Sequence, residues 1–334
     1  MQRVESLGQP AISSASILIV AFVSCCAIAA WLIGAFPLEL SIVTIFLFAG
    51  VHNLMEFRYF AARMPVRWGR SRTYYSVAIV GVGVLTIGYL TLYFSSGNWL
   101  WSGDNTAYLS LSWNTGFIVW IGLLFYLRGK QKRGDWGWAF PLTLFIAAAA
   151  WAAPQYWSLS LVYLHPLVAM WFLERQIRRT KPEWLRAYHI CLASIPIFLV
   201  AIWVLLSGRP NLPEETRLFW RIAQHAGSEI LPGISSHFLV ASHVFLESIH
   251  YFVWILLIPL VDRRAIPWRL SDVPLFENAK GIPKVFGALL AIGVTAVLVL
   301  WVGFSVDYTT TRDVYFAFAI GHVLAEFPFL IKML

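Results

Sequence analysis

Apolar runs recur along the whole chain, each closed off by a short polar stretch. A helix needs about 20 predominantly apolar residues to cross a bilayer core, and these runs meet that length. The pattern predicts ten spans, at 13–36, 39–62, 73–95, 112–128, 137–153, 157–177, 184–206, 237–261, 283–304 and 313–332. The fold class predicted is therefore all-α, a polytopic transmembrane helix bundle forming one integral-membrane domain over 1–334. The first run, "ASILIVAFVSCCAIAAWLIGAF", is too long for a signal-peptide core and reads as a retained helix. The one long connection is 207–236, and its middle, 213–231, reads as a short amphipathic helix lying on the membrane surface.

Composition sharpens this picture. Of 334 residues, 59% are hydrophobic and only 13% charged, and the mean hydropathy is +0.69. Soluble domains carry about 25% charge. The net charge of +8 does not point to nucleic acid, because the basic residues cluster in alternate loops. Arg58, Arg63, Arg67, Arg70 and Arg72 follow the second span, and Arg128, Lys130, Lys132 and Arg133 the fourth. Arg175, Arg178, Arg179 and Lys181 follow the sixth, and Arg263, Arg264 and Arg269 the eighth. Loops after the first, third and fifth spans carry none, the long one after the seventh carries Arg209, Arg217 and Arg221, and only Arg312 follows the ninth. Lys and Arg mark the cytoplasmic side, so both termini are expected there. Cys25, Cys26 and Cys191 all lie in apolar runs and form no disulfide framework or CxxC site. Many of the 17 Trp sit near span ends, as in "SGNWLWSGD" and "DWGWAF", which is the interfacial belt.

The informative positions are polar ones inside the spans. His52 and Glu56 occur in "HNLME", and His322 and Glu326 in "HVLAE". His243, Glu247 and His250 occur in "HVFLESIH". Residues four apart lie about 40° apart around a helix and those seven apart about 20°, so each set forms one polar stripe. All three helices run in the same direction and carry their stripes near mid-span, and His165 falls at a similar depth. A carboxylate at mid-bilayer costs on the order of 3 kcal/mol, and no Lys or Arg lies at that level to neutralise it. A metal ion would supply the missing charge. Imidazole and carboxylate suit iron, zinc or manganese, and "ESIH" has the Glu-x-x-His spacing of di-iron bundles. The candidate ligands are His52, Glu56, His165, His243, Glu247, His250, His322 and Glu326. Glu56, Glu247 and Glu326 also stand as candidate catalytic groups, as bridging ligands or as partners that orient His. Interhelical hydrogen bonding alone is the structural alternative. His237 lies about 120° off the stripe near the outer surface, and His189 and His225 read as interfacial. Phe245, Tyr251, Trp254 and Phe318 are candidates to line a flat, conjugated ligand.

"HNLMEF" and "GHVLAEF" resemble the His-x3-Asp patterns of the Brp/Blh-type membrane beta-carotene 15,15'-dioxygenases, with Glu in place of Asp. "HVFLESIH" falls where that family has a His-x3-His pair; here the spacing carries His243 and Glu247, with His250 further on. "HNLMEFRYFAARMPVRWG" and "HPLVAMWFLERQIRRTKPEW" resemble stretches of cyanobacterial-type polytopic membrane proteins. The resemblance implies a bacterial cytoplasmic or thylakoid membrane. It also implies a non-haem iron oxygenase or oxidase that takes a lipophilic substrate, such as a carotenoid or other isoprenoid, from the bilayer together with dioxygen. One and two metal ions are both compatible with the residues. Zinc or haem are the alternative cofactors, and an electron carrier or an intramembrane proton or metal pathway the alternative functions. A transporter would show broken helices or paired repeats, and a zinc hydrolase of the usual type HExxH; neither is evident.

Overall fold

The computed structural model describes residues 14–95, 104–134, 136–266 and 269–334, and among these every regular element is helical. In order they are α1 (Ser14–Ala35), α2 (Pro37–Ala61), α3 (Arg72–Ser95), α4 (Asp104–Lys132), α5 (Ala139–Ala152), α6 (Pro154–Thr180), α7 (Leu185–Leu206), α8 (Arg217–His225), α9 (Ser236–Phe252), α10 (Ile258–Val261), α11 (Pro274–Glu277), α12 (Pro283–Val306) and α13 (Tyr308–Met333). The tryptophan-bearing stretch 96–103 lies outside the described residues. Among the described residues nine helical segments are long and apolar enough to cross a membrane, with α9 and α10 forming one rod over Ser236–Val261. α5 is apolar but has only 14 residues, about 21 Å at 1.5 Å per residue, against a core about 30 Å thick.

The distribution of side chains is that of an integral membrane protein. Large apolar groups face outward: Leu144 and Phe145 are each 71% exposed and Val204 72%. A surface so covered with exposed hydrophobic groups is stable against lipid, not water. Polar side chains collect inside. The α9–α10 rod is the most enclosed span and packs on α1, α2, α6 and α7.

One end of the bundle is rich in Arg and Lys and tightly tied. Arg63 pairs with Asp262 and donates to the Gln176 Oε1 at 2.7 Å, joining the ends of α2, α6 and α10. Arg58 is buried within α2 rather than free in a loop, and donates to the carbonyls of Ile266 and Arg269 at 3.2 and 2.6 Å. Lys332 donates to Ser71 Oγ and Gln131 Oε1, so α13 ends at this face. Trp184 donates to Ser14 Oγ at 3.0 Å, which brings the start of α1 to the same face.

Two helices start earlier than their hydropathy suggests. α4 begins at Asp104 rather than 112, and α13 at Tyr308 rather than 313. Near the start of α4, Thr106 and Ser110 line an internal cavity, and α13 opens with a run of threonines, Thr309, Thr310 and Thr311. The amphipathic helix expected over 213–231 is shorter, Arg217–His225, capped by the Thr216 hydroxyl accepting from the Phe219 N–H. It packs on α2 and α9. Gly227, at φ +98°, turns the chain away just beyond His225 in a conformation that side chains rarely adopt. Tyr163 of α6 holds this turn in place, its hydroxyl 3.0 Å from the Ala226 carbonyl and 3.1 Å from that of Leu239.

Candidate functional site

Three of the four helices that supply the polar residues are irregular beside them. Pro166 follows His165 directly inside α6, and Pro328 lies two residues beyond Glu326 inside α13. Each lacks the N–H of an i→i−4 bond and crowds the carbonyl one turn back. On the α9–α10 rod a π-turn over Val253–Leu257 begins three residues after His250. Pro259, just beyond, cannot bond the Ile255 carbonyl, and the widened turn accommodates this. Such π-turns concentrate at functional sites.

Between α3, α4, α6, α9 and α13 lies a cavity of ≈ 550 Å³, within the range of small-molecule sites. At the end away from the Arg-rich face it is lined by Tyr89, Tyr93, Thr106, Ser110 and Ser158. Phe117, Leu161, Ile320 and Val323 form its middle, and His52, His165, His250 and His322 its floor.

The four floor imidazoles form one cluster. Ring centroids are 5.2 Å apart for His52 and His250, 5.3 Å for His52 and His322, 4.7 Å for His165 and His250, and 5.2 Å for His165 and His322. One turn below, away from the cavity, are Glu56 and Glu326, each 1% exposed. Two overlapping sets of ligand atoms result, each set lying within 4.8 Å of one another. His52, Glu56, His250 and His322 make the first; His165, His250 and Glu326 make the second. His250 belongs to both.

This donor set fits a metal on several observations. Both carboxylate oxygens of Glu56 and both ring nitrogens of His250 are buried with no hydrogen-bond partner among the described residues. Such groups are costly to leave unsatisfied. His52 donates from Nδ1 to the Phe48 carbonyl at 3.1 Å, which leaves Nε2 with its lone pair toward the cluster. That is the usual arrangement behind a metal-bound imidazole. His322 Nε2 and His165 Nε2, one from each set, face each other at 3.3 Å. His165 Nδ1 lies 3.1 Å from Glu326 Oε2, which orients that ring from behind. Beneath the cluster, Trp254 packs edge-on against Tyr59 and Phe60 and close to Phe172, an aromatic plug between the site and the Arg-rich face.

The remaining sequence candidates fall elsewhere. His243 and Glu247 join neither ligand set among the described residues; they line the cavity wall above the floor. A polar stripe seven residues long covers about 10 Å of helix, so its upper part cannot meet a point at its lower end. Glu247 Oε1 accepts from Tyr251 Oη at 2.5 Å, and the Tyr251 ring lies 4.5 Å from that of His52. Of the four expected ligand-lining aromatics only Tyr251 lines the cavity. Phe245 is turned into the apolar core against Phe198, Trp254 lies under the cluster 6.5 Å from His250, and Phe318 is 55% exposed beside Phe94. Tyr89, Trp113, Asn114 and Phe117 line the cavity from α3 and α4 instead, and their signal in the sequence was masked by the interfacial belt.

His225 is not interfacial. It lines the cavity, its ring 5.0 Å from His243 and 4.7 Å from Phe316. Burial, reinforced by His243 and the Arg312 charge, holds it well below the usual imidazole range. His237 is pinned to α1, with Nε2 3.2 Å from the Gly34 carbonyl. His189 is half-exposed and 3.5 Å from Glu174 Oε1, as an interfacial residue would be.

Compared with known proteins, the chain matches no family model, no curated protein and no solved structure. Fold and site together define the class, an integral membrane helix bundle with a cluster of buried imidazoles and carboxylates at the floor of a cavity.

Proposed function

We propose that the protein is a metal-dependent membrane oxidoreductase, a non-haem iron oxygenase or oxidase acting on a lipophilic substrate such as a carotenoid or other isoprenoid. The observation that carries the metal is the quartet His52, Glu56, His250 and His322, with ligand atoms within 4.8 Å of one another and the Glu56 oxygens without a hydrogen-bond partner among the described residues. Nitrogen and oxygen donors of this mixture suit iron. The second set, His165, His250 and Glu326, shares His250 with the first, so one ion and two ions are both compatible with the donors. The resemblance to the Brp/Blh-type dioxygenases supports the choice of substrate and of dioxygen as co-substrate.

Bound iron would supply the redox chemistry with dioxygen that amino-acid side chains lack. The chain's own residues do the rest. Phe48 and Glu326 aim His52 and His165. The apolar middle of the cavity, with Phe117, Leu161 and Ile320, takes the substrate and keeps water out. Tyr251 directs its hydroxyl to Glu247 at the wall beside the floor, placing a proton-bearing pair within reach of a bound substrate. The plug of Tyr59, Phe172 and Trp254 favours a closed site over a pathway across the bundle. Ten spans, α5 included, with both termini on the cytoplasmic side complete the reading.

The test is turnover. Purified protein should consume dioxygen when given a carotenoid, stop after chelation and resume with ferrous iron. An absorption spectrum separates haem, and elemental analysis zinc, from non-haem iron. Turnover that survives complete metal removal would overturn the reading.

A further inference from the structure

A buried cation lies close behind one wall of the cavity, against the lining residue Phe316. Tyr308, Arg312 and Phe316 follow one another at single-turn spacing along α13. Arg312 is 4% exposed. Its guanidinium carbon lies 4.6 Å over the Phe316 ring, and Phe316 lines the cavity beside His225. His243 adjoins His225 on the same wall.

The charges at this end do not balance around Arg312. The nearest carboxylate is Asp313, with Oδ1 4.0 Å from Arg312 Nη1. Its other oxygen is taken by Arg221 at 3.2 Å and approached by Arg217 at 3.9 Å. Three guanidinium groups therefore share one carboxylate; Asp307 is exposed and caps α13 by accepting from the Thr310 N–H. The carboxylate lining the cavity is Glu247, which accepts from Tyr251; among the described residues it forms no ion pair with Arg312, though its charge acts there. Arg312 Nε is buried with no hydrogen-bond partner among the described residues. A buried cation so weakly paired is costly and is what an anion-binding site provides.

We propose that Arg312, with His225 and His243, binds the anionic end group of a single-chain membrane amphiphile whose apolar chain runs down the cavity to the His floor. The end group is a carboxylate or phosphate, for which the guanidinium supplies charge and the imidazoles supply N–H donors. The cavity is far larger than an inorganic anion needs. Ten residues of α13 separate Arg312 from His322, about 15 Å of helix, and the wall between them is largely apolar. The inference rests on the proposed function in one respect, that the chain's interior is presented to the metal-binding floor; it narrows the substrate to a lipophile with one acidic end.

The test compares binding of oleate, oleyl alcohol and inorganic phosphate to the purified full-length protein, with metal content measured on the same samples. Oleate should bind at least ~10-fold more tightly than oleyl alcohol, as a charge-assisted contact requires. Arg312→Gln should bring the two within about twofold by removing that contact, leaving oleyl alcohol binding and metal content unchanged. Equal binding of the two by the wild-type protein overturns the proposal and needs no variant to fold. So does a preference for oleate that survives Arg312→Gln. Inorganic phosphate competing as well as oleate would make this a free-anion site and overturn the amphiphile. Oleate preference in a protein that binds no metal would sink the metal reading alone.

Discussion

Glu56 and Glu247 look alike in sequence, each one turn or less from a His in the middle of a span, yet they have opposite surroundings. Glu56 is closed in beside His52, His250 and His322 with both oxygens unpartnered, whereas Glu247 holds a hydrogen bond with Tyr251 on the cavity wall. A metal held by the first set makes a clear distinction. Glu56→Gln should lower metal affinity by about tenfold or more, the scale on which metal sites respond to lost carboxylates. His243→Ala should leave metal content unchanged, because His243 packs with His225 instead. Equilibrium dialysis of both variants against ferrous iron checks this, and equal loss from the two would place the ligand set wrongly. Most members of the two His/Glu groups were legible in the sequence. His-x3-Glu spacing, mid-span depth and a common helix direction single out His52, Glu56, His322 and Glu326. The division within the third stripe was not legible. Angular spacing shows which residues share a face, but not how far along that face the neighbouring helices converge.

At the scale of elements, hydropathy located the spans well because lipid imposes one simple requirement on outward faces. It failed where a helix faces something other than lipid. α4 carries Thr106 and Ser110 on the cavity, so its first turns read as loop. α13 is capped by Asp307 and carries Arg312 and Asp313 early on, charges that interrupt the apolar run. α5 meets the hydropathy requirement but not the length, and it lies between the long helices α4 and α6. The distortions beside the site were half legible. Pro166, Pro259 and Pro328 are plain in the sequence. The π-turn just before Pro259, in which Trp254 and Leu257 are buried, was not.

The whole molecule joins a tied, Arg-rich end to a looser, cavity-bearing one. Lys332, Ser71 and Gln131 meet at the first, as do Trp184 and Ser14. Lys and Arg favour the cytoplasmic side, so reporter fusions after Arg67, after Lys130 and at the C-terminus should all report cytoplasm. Arg67 and Lys130 on opposite sides would contradict the arrangement. The cavity then approaches the floor from the other side, and the imidazole cluster sits between it and the aromatic plug. The central claim is that this cluster holds metal, and His250 is its hinge because both ligand sets need it. The most direct measurement is therefore elemental analysis of purified wild-type protein beside His250→Ala, with iron, zinc and manganese counted per chain. The account predicts one or two iron ions per wild-type chain and almost none in His250→Ala, with the variant still folded. A folded wild-type protein without metal, or a variant that retains it in full, would contradict the account.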